Sequence, residues 1–184
     1  DIPDLFGQLG ARFPGHTWAL VEPRGTGLEG FSEKEYRFLL RAGSMVGATP
    51  VMMWTYDLGK ALEFLRTLPF LRDREFYLFG NGDAAVACLY HAIFDESVAG
   101  VILKGLPASH LDGGYIPGIM RVLDIQQAIG LIAPRPVGLV DWPAPRCQWP
   151  ERLYRRLGIP ERYILGGSLK VVAERVLSFG KAPS

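Results

Sequence analysis

A glycine-rich turn near the middle of the chain has the spacing of two functional motifs. Residues 80–85 read Gly-Asn-Gly-Asp-Ala-Ala, between the apolar run 75–79 and an apolar, helix-forming segment. The spacing Gly-x-Gly-x-x-Ala after a strand is typical of a dinucleotide site, where a pyrophosphate binds at a helix N-terminus. The spacing small-x-nucleophile-x-small is typical of a nucleophile elbow, where a tight turn lifts a catalytic side chain above a sheet.

Neither motif is complete. A dinucleotide site needs an acidic residue at the end of the next strand to bind the ribose, and Lys104 occupies that position. An elbow with Gly80 as its first small residue has Gly82 at its centre, and glycine has no side chain to act as nucleophile. Asp83 could replace the nucleophile, but a carboxylate at the start of a helix is favoured by the helix dipole. We therefore interpret Asp83 as an N-terminal helix residue.

A second group of chemically capable residues lies in the segment 104–120. Ser109, His110 and Asp112 are the three residue types of a hydrolytic triad. Residues this close together on a glycine-rich loop rarely hold triad geometry, so they are weak catalytic candidates. The next candidate, His91, lies within a predicted helix, and we expect it to be packed there.

The elements that position these residues follow from an alternation of apolar runs with amphipathic stretches. This alternation predicts an α/β fold, with a doubly wound and mostly parallel sheet of about five strands in three α/β/α layers. The predicted strands are 16–22, 75–79, 99–103, 136–140 and 162–165. A capping box of Ser32 and Glu35 predicts a helix to Arg41. Further helices are predicted over 57–68, 83–94, 124–132, 149–157 and, with Ser168 as N-cap, 169–177.

Ligands of open α/β sheets bind beyond the carboxyl ends of the strands. We therefore expect any site at the turns 23–27, 80–84, 104–114, 141–147 and 166–168. Trp54, Tyr56, Tyr115 and Trp142 could line a pocket there, although packing in the core or under loops is the favoured interpretation of these aromatic residues.

Composition indicates one globular domain over residues 1–180 with a tail at 181–184, because 48% of the 184 residues are hydrophobic and 21% are charged. Lys+Arg 20 against Asp+Glu 19 gives a net charge of +1, without a basic run of the kind that binds nucleic acid or an anionic membrane.

Cys88 and Cys147 form neither a disulfide framework nor a metal-ligand spacing. We expect no nucleic acid, cofactor, metal or membrane span. The start of the chain is unlike a signal peptide, which leaves the compartment open, including secretion after removal of an upstream signal.

Four stretches of the chain resemble the α/β-hydrolase superfamily, and above all its acetyl xylan esterase-like and prolyl oligopeptidase-like bacterial members. The stretches are 45–61, 79–85, 94–101 and 124–136. The turn Arg24-Gly25-Thr26-Gly27 is similar to one that follows an early strand of that fold. The run Ala133-Pro134-Arg135-Pro136, which enters a predicted strand, is the most specific part of a resemblance that spans about residues 16–166.

The resemblance implies a hydrolase site whose parts are largely missing. The family's serine would stand at Gly82, and its acid would stand at Asp141, where the residue type is compatible. The family's histidine would follow the last strand near Ser168, but the chain has no histidine after His110. The implied function is a catalytically degenerate domain that acts in binding or structural support, with a small-molecule ligand at the elbow.

The resemblance also implies that the chain corresponds to the C-terminal two-thirds of the fold. The first strands would then be lacking, residues 4–11 would form an early helix, and other domains or subunits of a larger protein would be partners. Two alternatives stay open. One is an active carboxylic-ester hydrolase with unconventional or externally supplied catalytic residues. The other is a nucleotide-binding domain that uses the turn 80–85.

Overall fold

The computed structural model describes residue 7, residues 10–143 and residues 148–180. Its α-helices within these ranges are α1 (Glu33–Val46), α2 (Pro50–Thr67), α3 (Asp83–Phe94), α4 (Ile125–Gly130), α5 (Trp149–Arg156) and α6 (Leu169–Leu177). Its strands are β1 (Phe76–Asn81), β2 (Val98–Lys104), β3 (Val137–Val140) and β4 (Tyr163–Gly166). The expected helix over 4–11 and the tail at 181–184 lie largely or wholly outside the described residues.

The four strands form one parallel sheet in the order β1-β2-β3-β4. The register places Asn81, Lys104, Val140 and Gly166 side by side in a single row. The carboxyl ends of all four strands therefore meet at one edge of the sheet, and the turns that follow them share that edge. This arrangement confirms the α/β class and the parallel sheet.

Helices cover both faces of the sheet. On one face, Val101 and Leu103 of β2 belong to a core cluster that includes buried residues of α2, α3, α4 and α5. On the other face, Ile102 belongs to a second cluster with buried residues of α6. A Cβ atom on Gly138 of β3 would lie 2.5 Å from Val172, so glycine at this position lets α6 pack closely against the sheet.

The winding of the sheet differs from the prediction. The three connecting helices α3, α4 and α5 all lie on the same face, and each strand pairs beside the one before it. Right-handed crossovers produce this outcome when the chain always advances in one direction across the sheet. The prediction of a doubly wound sheet is therefore wrong for the described strands, which contain no point where the direction of winding reverses.

The predicted first strand, residues 16–22, is not a strand. The segment pairs with no other described strand, and Leu20 within it is 54% exposed. The turn that follows the segment is fixed to α2 instead, since the Arg24 backbone N–H and guanidinium both donate to the Asp57 carboxylate. The Trp54 indole N–H also donates to the Arg24 carbonyl, at 2.9 Å. These contacts with α2 provide no backbone ladder, which a strand requires.

Arg135, in the run 133–136 that precedes β3, joins other backbone segments to one another. Its guanidinium donates to the carbonyls of Ala92, Asp95 and Val98 at 2.7, 3.0 and 3.0 Å, so it joins the C-terminal end of α3 to the start of β2. A cation in this position satisfies helix carbonyls that have no intrahelical partner and complements the helix dipole. Burial lowers the pKa of Arg135, and the opposing effects of Tyr154, Glu96 and Asp95 offset this only in part.

None of the helices described is both long and apolar enough to span a bilayer.

Candidate functional site

The turn between β1 and α3 has the geometry of an elbow. Gly82 connects the two elements with φ 60° and ψ −127°, a backbone conformation that favours glycine. A Cβ atom on Gly80 would lie only 2.5 Å from the Ala84 carbonyl oxygen, so glycine at this position is what lets the strand and the helix approach. A Cβ atom on Gly82 would have no atom within 4 Å. A side chain at position 82 would therefore project into open space, where glycine provides no functional group.

The same turn is less suited to hold a phosphate. The Gly82 N–H, one of the donors that a phosphate cradle would use, already donates to the Lys104 carbonyl at 2.9 Å. Lys104 ends β2, so the position for a ribose-binding carboxylate holds a cation in the structure as in the sequence. The geometry therefore favours the elbow over the dinucleotide motif.

Asp141 lies at the same edge of the sheet as the elbow. It follows β3, two strands from Gly82, which corresponds to a separation of about 10 Å at ordinary strand spacing. Asp141 is exposed and has φ 60°, and no other non-glycine residue of the described chain has a positive φ. The residues after β2 and β4 at this level are Gly105 and Gly167, which bear no side chain. Among the four residues that directly follow the strands, Asp141 is therefore the one whose side chain can act as an acid or a base.

Asp83 binds protein groups with both carboxylate oxygens. Oδ1 accepts a hydrogen bond from the Gly114 backbone N–H at 2.9 Å, and Oδ2 accepts one from the Tyr36 hydroxyl. Burial raises the pKa of Tyr36, and the hydrogen bond to Asp83 raises it further, so this hydroxyl stays protonated. Asp83 thus joins α3 to α1 and to the loop after β2, which supports a structural interpretation of this residue.

His110 is also held by two partners. It is 5% exposed; its Nδ1–H donates to the Gly114 carbonyl at 2.7 Å, and its Nε2 accepts from the Tyr90 hydroxyl at 2.7 Å. The carbonyl can only accept, which fixes this tautomer in the neutral ring. Burial lowers the pKa of His110, opposed by the Gly114 hydrogen bond and the charge of Asp124.

Ser109 does not pair with its neighbour His110. Its hydroxyl interacts with Asp124 and accepts the Leu111 N–H at 3.2 Å. Burial would raise the pKa of Asp124, but the Ser109 hydrogen bond and two backbone N–H groups hold it below its usual value. The Ser109 hydroxyl and the His110 ring therefore have different partners, and Asp112 is exposed.

His91 and Cys88 on α3 are packed residues. A Cβ atom on Gly59 would lie 3.0 Å from the His91 ring, so α2 passes directly over this histidine. His91 Nε2 lies 3.3 Å from the Asp95 carboxylate. Burial raises the pKa of the Cys88 thiol to about 12, which keeps the thiol protonated and unreactive. Cys147 lies outside the described residues.

The four aromatic residues do not form a pocket beside the elbow. Trp54 and Trp142 are each 9% exposed and belong to the core, whereas Tyr56 and Tyr115 are on the surface. A cavity of about 300 Å³ lies at the opposite, amino edge of the sheet, lined by Tyr77, Arg135, Arg162 and Phe179 among others. Another, of about 390 Å³, lies on the outer surface of α1. Packing was thus the correct interpretation of the two tryptophans.

The residues that organise this region were not singled out in the sequence. Tyr36, Tyr90 and Gly114 hold Asp83 and His110 in place, yet no local pattern marks these contacts, and three of the four join residues 20 to 47 positions apart. Asp124 was detectable, because it opens α4 with a capping box to Gln127. Within the described chain, no three His, Cys, Asp or Glu side chains are grouped to hold a metal ion.

The comparisons leave the family of the chain open. No protein-family model matches it, and no curated protein is significantly similar to it.

Proposed function

We propose that this chain is a catalytically degenerate α/β-hydrolase-like domain that acts in binding or structural support. The observation that carries the proposal is the vacant apex of the elbow: the turn at Gly82 has room for a side chain, and glycine provides no nucleophile. Acyl transfer through a covalent intermediate requires such a group. A small-molecule ligand at the carboxyl edge of the sheet is part of the proposal.

The surroundings of the apex also support loss of catalysis. Asp141 stands at the position of an acid, but an acid acts by orienting a base, and no histidine follows β4. His110 has protein partners at both ring nitrogens and is almost fully buried. The Asp83 carboxylate is held by Tyr36 and Gly114. His110 and Asp83, which could replace a base and a nucleophile, are therefore both engaged with protein groups.

The proposal is tested by hydrolysis of para-nitrophenyl acetate. We expect the wild-type chain to show no saturable turnover above buffer. Gly82→Ser would restore a hydroxyl at the apex, but without a base it should be no faster than its matched control, Gly82→Ala. Both variants place a Cβ at the same positive φ, so each should lose about 1–3 kcal/mol of stability, and melting curves check that both remain folded.

A large rate gain of Gly82→Ser over Gly82→Ala would contradict the proposal, because it would reveal a functioning base. Labelling of the wild-type chain by a fluorophosphonate probe would also contradict the proposal, and it would support the alternative of an active carboxylic-ester hydrolase. Unchanged melting in the presence of NAD or ATP would count against the nucleotide-binding alternative, since a ligand of the native state raises the melting temperature.

A further inference from the structure

Helix α1 exposes a stripe of cationic and large apolar side chains. Lys34, Arg37, Phe38, Arg41 and Met45 are spaced at i, i+3, i+4, i+7 and i+11, so they lie within about 100° of one another around the helix. We call these five residues the α1 stripe. All five are exposed, and Phe38 and Met45 are 67% and 88% exposed.

The stripe points away from the protein. Gly43 is the one buried residue of α1, and Tyr36, on the opposite side of the helix from the stripe, provides its inner contacts. The Tyr36 ring lies 6.3 Å from the Trp54 ring, and its hydroxyl donates to Asp83. Isolated helices of this length are marginal in water, so α1 depends on these few contacts and on its capping box at Ser32.

The charge of the stripe favours an anionic occupant. Lys34, Arg37 and Arg41 contribute three positive charges, and Glu33 neutralises Arg37 in part through an ion pair along the helix. A second copy of the chain would place like charges opposite one another, which disfavours self-association through this face. Phe38 and Met45 between the cations would gain from transfer out of water.

The shape of the stripe favours a fluid surface over a folded partner. The open space between the side chains on this surface is lined by α1 residues alone, so no neighbouring element forms a groove around the stripe. A convex ridge of long side chains can insert apolar groups among lipids while the cations extend to the phosphates. We propose that the α1 stripe binds the protein peripherally to a membrane that contains anionic lipids. The three cations are not consecutive in sequence, which is why the composition predicted no such surface.

The proposal is tested by sedimentation of the 184-residue chain with sucrose-loaded vesicles of phosphatidylcholine, with and without 30 mol% phosphatidylserine. We expect binding that requires phosphatidylserine and weakens in high salt. The double variant Lys34→Gln/Arg41→Gln should lower the partition coefficient roughly thirtyfold. Phe38→Ser/Met45→Ser should lower it by at least about tenfold. These exposed substitutions leave the core intact, and melting curves check this.

The matched control is Arg152→Gln/Arg156→Gln, which removes two exposed cations from α5 and should leave vesicle binding unchanged. Equal binding to both vesicle types, or an equal effect of the control and the α1 variant, would overturn the proposal. Absence of binding to vesicles together with binding to a soluble acidic amphipathic peptide would also overturn it, in favour of a protein partner. None of these outcomes depends on hydrolysis or on Gly82.

Discussion

The Asp83 carboxylate lies beside the apex of the turn, but the contacts that the structure describes for it are all with other parts of the protein. It lies one place after Gly82, yet its two oxygens accept hydrogen bonds from α1 and from the loop after β2. A nucleophilic carboxylate would need a free oxygen directed at a substrate. The contacts of Asp83 favour a role in holding three segments together.

Substitution of Asp83 distinguishes these roles. Asp83→Ala should lower the free energy of unfolding by about 2 kcal/mol, because the Tyr36 hydroxyl and the Gly114 N–H lose their acceptor. Asp83→Asn retains an oxygen for Gly114 and should lose about half as much. Urea unfolding measures both values, with Asp112→Ala at an exposed position as control. If Asp83→Ala is no more destabilising than the control, the structural role is wrong.

His110 makes the stability depend on pH. Its pKa is lowered in the folded state, chiefly by burial, so the unfolded chain takes up a proton more readily. The contribution of the neutral ring is therefore complete above the unfolded pKa of about 6.5 and is lost as the pH falls through and below that value. Thermal melts from pH 7.5 to 5.0 should show this decline in wild type and in His16→Gln, whose substitution lies at an exposed position. An equally steep decline in His110→Gln would show that another group is responsible.

At the scale of single elements, Arg135 joins α3, β2 and the segment before β3. Its guanidinium donates hydrogen bonds to four backbone carbonyls, of which the fourth is that of Ile132 at 3.2 Å. The planar fork of arginine can reach several carbonyls at once, which a single ammonium group cannot. The Tyr154 hydroxyl adds a contact from α5 to the Arg135 carbonyl, at 2.8 Å.

Arg135→Ala should therefore lower the free energy of unfolding by about 3 kcal/mol, since it removes the hydrogen bonds of a charged donor to the carbonyls of Ala92, Asp95 and Val98. Arg135→Lys should recover only part of this loss. The control is Arg155→Ala on α5, whose ion pair with Glu151 is exposed and should contribute less than about 1 kcal/mol. Equal destabilisation by the two alanine substitutions, measured in urea, would contradict the role assigned to Arg135.

The elements that could be predicted are those with local signals. The capping box at Ser32 begins α1, and the limits of α3 at Asp83 and Phe94 agree with the prediction. Helix α2 begins at Pro50, seven residues before its predicted start at Asp57. The prediction missed these first turns because they lack the simple apolar spacing of the rest of the helix. The segment 16–22 has strand-forming residues, but strand formation depends on a partner distant in sequence.

The turn that forms the candidate site could be predicted from the sequence, and so could the absence of a nucleophilic side chain at position 82. The small residues around Gly82 indicated the turn, and the sequence lacks the serine and the histidine that the hydrolase resemblance implies. The surroundings could not be predicted, because the loop after β2 folds back onto α3 through Asp83 and Gly114, residues 31 positions apart. Only the folded chain shows that His110 and Asp83 share Gly114 as a partner.

At the scale of the whole molecule, the structure predicts an uneven distribution of stability. Val101, Ile102 and Leu103 of β2 are at most 3% exposed and lie between two paired strands. Helix α1 has one buried residue. Hydrogen exchange should therefore be slowest in β2 and β3 and faster in α1 than in α3, because local opening exposes little apolar surface in α1. Equal protection of α1 and α3, measured by mass spectrometry, would contradict this distribution.

The strand order has a consequence for the synthesis of the protein. Each strand pairs with the strand that precedes it along the chain, so no described strand must enter between two that are already in place. A chain that leaves the ribosome from its N-terminus can therefore add one strand and one helix at a time to an edge that already exists. Every pairing is between strands consecutive along the chain, which reduces the entropy that long-range pairing would cost before it stabilises the sheet.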